Sequence, residues 1–174
     1  MAMLIRKAQV SDAREIAIVH VESWRSTYGG IVSDAFLSAM SYDEREARWH
    51  VILSGSQERI VYVAQDEAGK VVGFAMGGPH RDKEPECSGE LYSVYLLAEY
   101  QGQGLGRQLV QAVATDLLQA KYCSMIVWVF SENRARHFYE NLGATYLLSK
   151  EAQIGEQQLS ESAYVWWDLE TSFG

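Results

Sequence analysis

The 174-residue chain has two cysteines, two prolines and no apolar run of membrane length. Cys87 and Cys123 are too few and too far apart for a disulfide framework, a CxxC redox pair or a cysteine-based metal site. Both read as reduced thiols of a cytoplasmic protein. Crossing a bilayer takes about 18 consecutive apolar residues. The chain reaches Arg6 and Lys7 almost at once and never approaches that length, so neither a span nor a targeting segment is expected. Basic charge is also scarce, with 15 Lys and Arg against 23 Asp and Glu, a net charge of −8. A nucleic-acid or anionic-membrane partner would need a clustered basic face, so neither is expected, and a cationic or amine substrate is mildly favoured. The four histidines are scattered without carboxylate or cysteine partners at ligand spacing, which leaves no metal site in the pattern. No repeat, low-complexity tract or Pro/Ser-rich linker divides the chain. A single domain over residues 1–174 is expected, with Pro79 and Pro85 bracketing one short loop.

The remaining residues organise themselves by period. Met3 to Ala8 reads as a strand, and Ser11-Asp12 opens a helix with Glu15 three residues after Asp12 as in a capping box. Ala13, Ile16, Ala17, His20 and Trp24 share a face of that helix, which runs to about Tyr28. His20 on this apolar face suits a hydrogen-bonded core histidine better than a base, and Trp49 suits the core. After Gly29-Gly30, Ser33 and Asp43 open two further helical stretches. Ile60 to Ala64 and Val71 to Met76 are β-rich runs joined by Asp66-Glu67-Ala68-Gly69, a hairpin signal. Glu90 to Leu97 is another strand, followed by a helix with Leu105, Leu109, Val113 and Leu117 at four-residue steps. The continuously apolar Met125 to Phe130 suits a strand covered on both faces and parallel to its predecessor. Arg134 to Leu142 reads as a helix stopped by Gly143, and Tyr164 to Leu169 as a last strand. The expected class is α/β (α+β): a mixed sheet of about six or seven strands flanked by helices.

The sharpest signal is Gln101-Gly102-Gln103-Gly104-Leu105-Gly106-Arg107 between a strand and a helix. Glycines there permit positive φ and close approach of a ligand, and present free N–H groups at a helix N-terminus, as a pyrophosphate site requires. A plain strand-to-helix turn would need only one or two of them. A dinucleotide fingerprint would require Gly at 107 or 109, where Arg107 and Leu109 stand, and a Walker A loop would require Lys then Ser or Thr after the last glycine. Neither fits.

The run ELYSVYLLAEYQGQGLGR, Glu90 to Arg107, resembles the acetyl-CoA-binding signature Q/R-x-x-G-x-G/A of the GNAT superfamily with its preceding strand. NRARHFYENLGA, Asn133 to Ala144, resembles the family's later helix, and Ser23, Trp24 and Tyr28 resemble the helical arm of one bacterial branch. The resemblance implies an N-acetyltransferase that moves an acetyl group from acetyl-CoA to a primary amine of a small molecule or peptide through a ternary complex. It implies that the backbone of Val94, Tyr95 and Leu96 runs beside the pantetheine arm, with a bulge near Leu96 offering an N–H to the thioester carbonyl. Gln101, Gly102, Gln103, Gly104, Leu105, Gly106 and Arg107 would hold the pyrophosphate. Tyr139 would be the general acid and Glu90, at the strand's start, the candidate base. Two departures stand out: Ala98 replaces a common proline, and Asn133 precedes Tyr139 by six residues where seven is commoner. One helical residue is about 100° of rotation, so Asn133 either contacts coenzyme A or caps its helix.

Trp24, Tyr28 and Tyr92 are candidates for an acceptor pocket, although aromatics at helical spacing more often pack in cores. A CoA-binding sensor without turnover is the alternative function, and a protein-interaction module leaves the glycine turn unexplained. Tyr139 together with a carboxylate at 90 favours turnover. An exposed final strand would suit a homodimer.

Overall fold

The computed structural model describes residues 3–55, 58–82 and 87–174; Pro85 lies outside them. In chain order the elements are β1 (Leu4–Lys7), α1 (Ala13–Tyr28), α2 (Asp34–Ala39), α3 (Tyr42–Ser54), β2 (Ile60–Gln65), β3 (Val71–Pro79), β4 (Gly89–Leu96), α4 (Leu105–Gln119), β5 (Met125–Phe130), α5 (Ala135–Asn141), β6 (Thr145–Ile154), β7 (Gln157–Trp166) and α6 (Leu169–Phe173). They form one seven-stranded mixed sheet in the order β1-β2-β3-β4-β5-β7-β6. Every neighbouring pair is antiparallel except β4 and β5.

Side-chain alternation along a strand decides which helix covers which face. Phe74 on β3 packs edge-on against Trp49 of α3, 4.9 Å between ring centroids. A Cβ on Gly77, three positions on and therefore facing the other way, would lie 2.5 Å from Val113 Cγ1 of α4. So α1 and α3 cover one face and α4 the other. The four-residue apolar step in α4 has its expected result: Leu105, Leu109, Val113 and Leu117 are all buried in the core. His20 is held there too, accepting at Nδ1 from Trp49 Nε1 at 3.4 Å.

The feature that makes a site is the parting of β4 from β5. Their parallel pairing runs only from Gly89↔Met125 to Leu91↔Val127. On its other side β4 is paired with β3 as far as Leu96, but the register slips: Gly77 faces Leu91 while Met76 faces Ser93. Tyr92 is thus the extra residue of a β-bulge, which bends a strand and increases its twist. The strand consequently swings away from β5 just past the bulge. Gly77 allows it, since a Cβ there would stand 2.9 Å from the Glu90 carbonyl oxygen. The bulge expected near Leu96 therefore sits four residues earlier, opposite the glycine that leaves room for it.

Other boundaries also moved. The first α1 turn is preceded by a 3₁₀ turn over Val10–Asp12, in which Gln9 and Asp12 form the reciprocal cap. Asp12 is drawn off by a two-bond ion pair with Arg6 at 2.8 and 2.9 Å, and Glu15 accepts from the Val71 backbone N–H at 2.6 Å. Ser41, not Asp43, caps α3. The last strand begins at Gln157, well before Tyr164, and is interior, paired with β5 and β6; the edge is β6. An exposed final strand is thus not available for a dimer. Among the described residues no helix is long and apolar enough to cross a membrane.

Candidate active site

Where β4 and β5 separate, a cavity of about 760 Å³ opens between them and extends to the start of α4. Gly102 and Gly104 take φ of +73° and +82°, and Gly104 caps α4 in the left-handed conformation. A Cβ on either would meet nothing within 4 Å. The conformation, rather than crowding, is what calls for glycine here, and the space above stays free for a ligand. The first turn of α4 holds no acidic residue and no side-chain cap. Its free N–H groups, the positive end of a 15-residue helix dipole and Arg107 together favour a polyanion.

Gln101, Gly102, Gly104, Gly106 and Arg107 line the cavity, as do Val94, Tyr95, Leu96 and Asn133. Two residues of the expected cradle do not. Leu105 is buried beneath the helix, and Gln103 turns back to donate to the Glu99 carbonyl at 3.0 Å. Gln101 donates to the Leu96 carbonyl at 3.1 Å and so ties the turn to the end of β4. At Asn133 the side chain accepts from the Ala135 N–H at 2.9 Å. It thus serves the backbone just ahead of α5, whose N-cap is Arg134, and the residue also borders the cavity.

Three tyrosines meet in the middle of the cavity wall. The hydroxyls of Tyr28, from the end of α1, and Tyr95, on β4, are 3.0 Å apart. Burial pushes both phenols above the ordinary range, and for Tyr28 the Asn133 side chain pulls weakly the other way. Tyr139 also lines the cavity, 6% exposed, with its ring edge-on to Trp166 at 6.1 Å. Its phenol is pushed up by burial first and the Tyr95 phenol second. All three are neutral at physiological pH and can donate hydrogen bonds. None is a base there.

The candidate base is placed elsewhere. Glu90 is 2% exposed and does not line the cavity. Its carboxylate accepts from Arg81 Nη2 at 2.5 Å, from Nε at 3.2 Å and from the Arg81 backbone N–H at 3.1 Å. A carboxylate so saturated holds Arg81 rather than collecting a proton, and Arg81 in turn lies over the ring of Tyr92 at 4.4 Å. Tyr92 and Tyr28 line the cavity; Trp24 stands behind, edge-on to Tyr28 at 4.7 Å and to Phe130 at 6.2 Å. Sequence reasoning missed Ser93 and Trp128, which line the cavity. Trp128 was hidden inside the apolar run of β5. Its signal was the one indole in a strand otherwise made of Met125, Ile126, Val127, Val129 and Phe130. Among the described residues no group of three or more histidine, cysteine or carboxylate side chains could hold a metal ion.

A mixed sheet that parts beside a bulged strand, with a glycine-rich helix start at the mouth of the gap, is the architecture of an acyltransferase working on acyl thioesters of coenzyme A. The chain belongs to the acetyltransferase (GNAT) family, whose model matches residues 19–144. It is 39% identical over 165 residues to an uncharacterised N-acetyltransferase, YuaI, of Bacillus subtilis, covering 95% of this chain and 93% of that one. It is similar in fold to the PaiA N-acetyltransferase of Thermoplasma acidophilum, solved in complex with coenzyme A (TM-score 0.72, 22% identity, 92% and 98% of the two chains). It is also similar to YncA of Salmonella typhimurium, solved with acetyl-CoA (TM-score 0.70, 21% identity, 98% and 95%).

Proposed function

We propose that this enzyme transfers the acetyl group of acetyl-CoA directly to the neutral amine of a small acceptor bound beside it. The observation that carries the reading is the strip of β4 from Tyr92 to Leu96, which has no partner on its β5 side and borders a cavity reaching the Gly102–Arg107 turn. The open space above Gly102 and Gly104 fits a pyrophosphate, because a Cβ would enter that space and strain the turn. Coenzyme A supplies the activated acyl thioester.

The chain's own groups do the rest. Arg107 and the α4 N-terminus hold phosphate charge. Unpaired backbone N–H groups on β4 are donors for the oxyanion that develops as the amine adds to the acyl carbon. Tyr139 is the donor for the departing sulfur. An ordinary phenol titrates near 10 and a thiol near 8.5, and burial raises Tyr139 further. The proton therefore stays on the phenol, which stabilises the thiolate by hydrogen bonding. Glu90 is bound by Arg81 outside the cavity, and the amine arrives already neutral and releases its proton on bond formation.

The test is release of CoA thiol and mass-detected acetyl transfer with a panel of primary amines. Saturable acetyl-CoA binding without turnover of any amine would instead favour a sensor. Affinity for nicotinamide dinucleotides equal to that for acetyl-CoA would refute the assignment of the glycine turn.

A further inference from the structure

Strand β4 loses its β5 neighbour after Leu91, and its register with β3 fixes which backbone groups the free half turns towards the gap. Leu97 N–H donates to the Val72 carbonyl at 2.9 Å, and Leu96 stands opposite Gly73. In an antiparallel ladder, residues that bond across alternate with residues that do not. Leu96, and Val94 two positions before it, therefore point their N–H and carbonyl groups away from β3. In an unparted sheet β5 would receive them, but its pairing ends at Leu91↔Val127. A carbonyl left there without a donor is costly. The Leu96 carbonyl has two side-chain donors instead: Ser23 Oγ of α1 at 3.3 Å and Gln101 Nε2 of the glycine turn at 3.1 Å. Ser23 is 1% exposed and lies inside an α-helix. A serine there commonly returns its hydroxyl to the carbonyl one turn back, whereas this one crosses to a strand 73 residues away in sequence. The next residue of β4 is braced from the same helix, since Tyr28 of α1 meets Tyr95 hydroxyl to hydroxyl at 3.0 Å.

Building on the acetyl-transfer reading, we propose that Ser23 is a positioning residue for the cofactor. With Gln101 it occupies the Leu96 carbonyl and fixes the end of β4 in its parted position. The groups left facing the gap are then the N–H and carbonyl of Val94 and the N–H of Leu96, and both residues line the cavity. The pantetheine arm carries amides, which need a donor and an acceptor held at a set spacing. A strand edge whose last carbonyl is already taken offers that arm one register, where a fully open edge would offer alternatives shifted along the strand. Ser23 does not line the cavity, so it acts only through the strand. Gln101 could not fix the strand alone, because it is exposed and belongs to the turn. Ser23 ties β4 to a helix whose Ile16, Ala17 and Val19 lie in the core.

The experiment titrates coenzyme A calorimetrically into wild type, Ser23→Ala, Gln101→Met and the double variant. Each titration is repeated in competition with ADP, which has the pyrophosphate but no pantetheine arm. Ser23→Ala should weaken coenzyme A binding about two- to tenfold, the worth of one hydrogen bond, and ADP binding less than about twofold. Gln101→Met, a change at an exposed position, should show the same selective loss. Because the two side chains serve one oxygen, either single variant leaves that oxygen a donor and the double variant leaves it none. The double variant should therefore lose more than the product of the single losses. Unchanged coenzyme A affinity in Ser23→Ala, an equal loss for ADP, or losses that simply multiply would each overturn the proposal. A wild-type protein that binds no coenzyme A refutes the acetyl-transfer reading, and the role of Ser23 falls with it.

Discussion

His20 offers a test of how tightly the aromatic wall behind the cavity is packed. Its ring stacks at 5.8 Å on Tyr95, which lines the cavity, and lies 5.7 Å from Phe74 and 6.2 Å from Trp49. Burial lowers its pKa from 6.5 to about 3, with Arg45 and Arg48 adding to the effect. A group with a folded pKa below its unfolded one stabilises the fold fully only above the unfolded value. That stability drains away as pH falls from about 6.5 towards 3, because the unfolded chain takes the proton and the folded one does not. Each pH unit on this slope costs about 1.4 kcal/mol, so pH 5 lies about 2 kcal/mol below pH 7 on account of this one ring. Urea unfolding at pH 7, 6 and 5 measures it. His20→Gln, which keeps an acceptor for Trp49, should be less stable at pH 7 yet lose about 2 kcal/mol less than wild type between pH 7 and pH 5. The other three histidines are common to both proteins and cancel. Parallel pH profiles for the two proteins would show that His20 titrates normally, and the wall would then be hydrated.

Two further outcomes bear on the proposed chemistry. Tyr139→Phe removes one hydroxyl from a ring packed on Trp166. It should lower kcat about tenfold to a hundredfold, the worth of one hydrogen bond to a charged group, while steady-state kinetics and calorimetry show acetyl-CoA affinity intact; a near-wild-type kcat would make Tyr139 a packing residue. Gly104→Ala, at φ +82° with nothing within 4 Å of the new methyl, should cost about 1–2 kcal/mol of stability and weaken acetyl-CoA binding in calorimetry. A folded variant with unchanged affinity would place the pyrophosphate elsewhere.

Much of this architecture could be read from periodicity, because α4 and β5 have patterns that admit few alternatives. Leu105, Leu109, Val113 and Leu117 define a buried stripe on any helix that contains them, and Met125–Phe130 has no polar face. The glycine turn was equally plain, since alternate glycines before a helix have a conformational reason. What could not be read was whatever depends on register between distant segments. The bulge at Tyr92 exists because Gly77, on the neighbouring strand, leaves space for it. Glu90 looked like a free strand-end carboxylate because nothing local marks Arg81 as its partner, which a chain reversal between β3 and β4 supplies. Strand β6 escaped notice for a different reason. As an edge strand its residues are mostly exposed, with Tyr146 54% and Leu148 37% accessible, so burial never imposed an alternation on the sequence.

Net charge at first sight opposes the binding of a polyphosphate, since the chain carries −8. The contradiction is resolved by distance. At physiological salt a charge is felt over about 8 Å, so the phosphate end of the cavity responds to its own surroundings. There the first turn of α4 has no acidic residue, and Arg107 and Arg134 both line the wall, with Glu132 the one carboxylate among the lining residues. Raising ionic strength should therefore weaken acetyl-CoA binding in calorimetry, and an affinity unmoved by salt would refute a charged cradle at this end of the cavity.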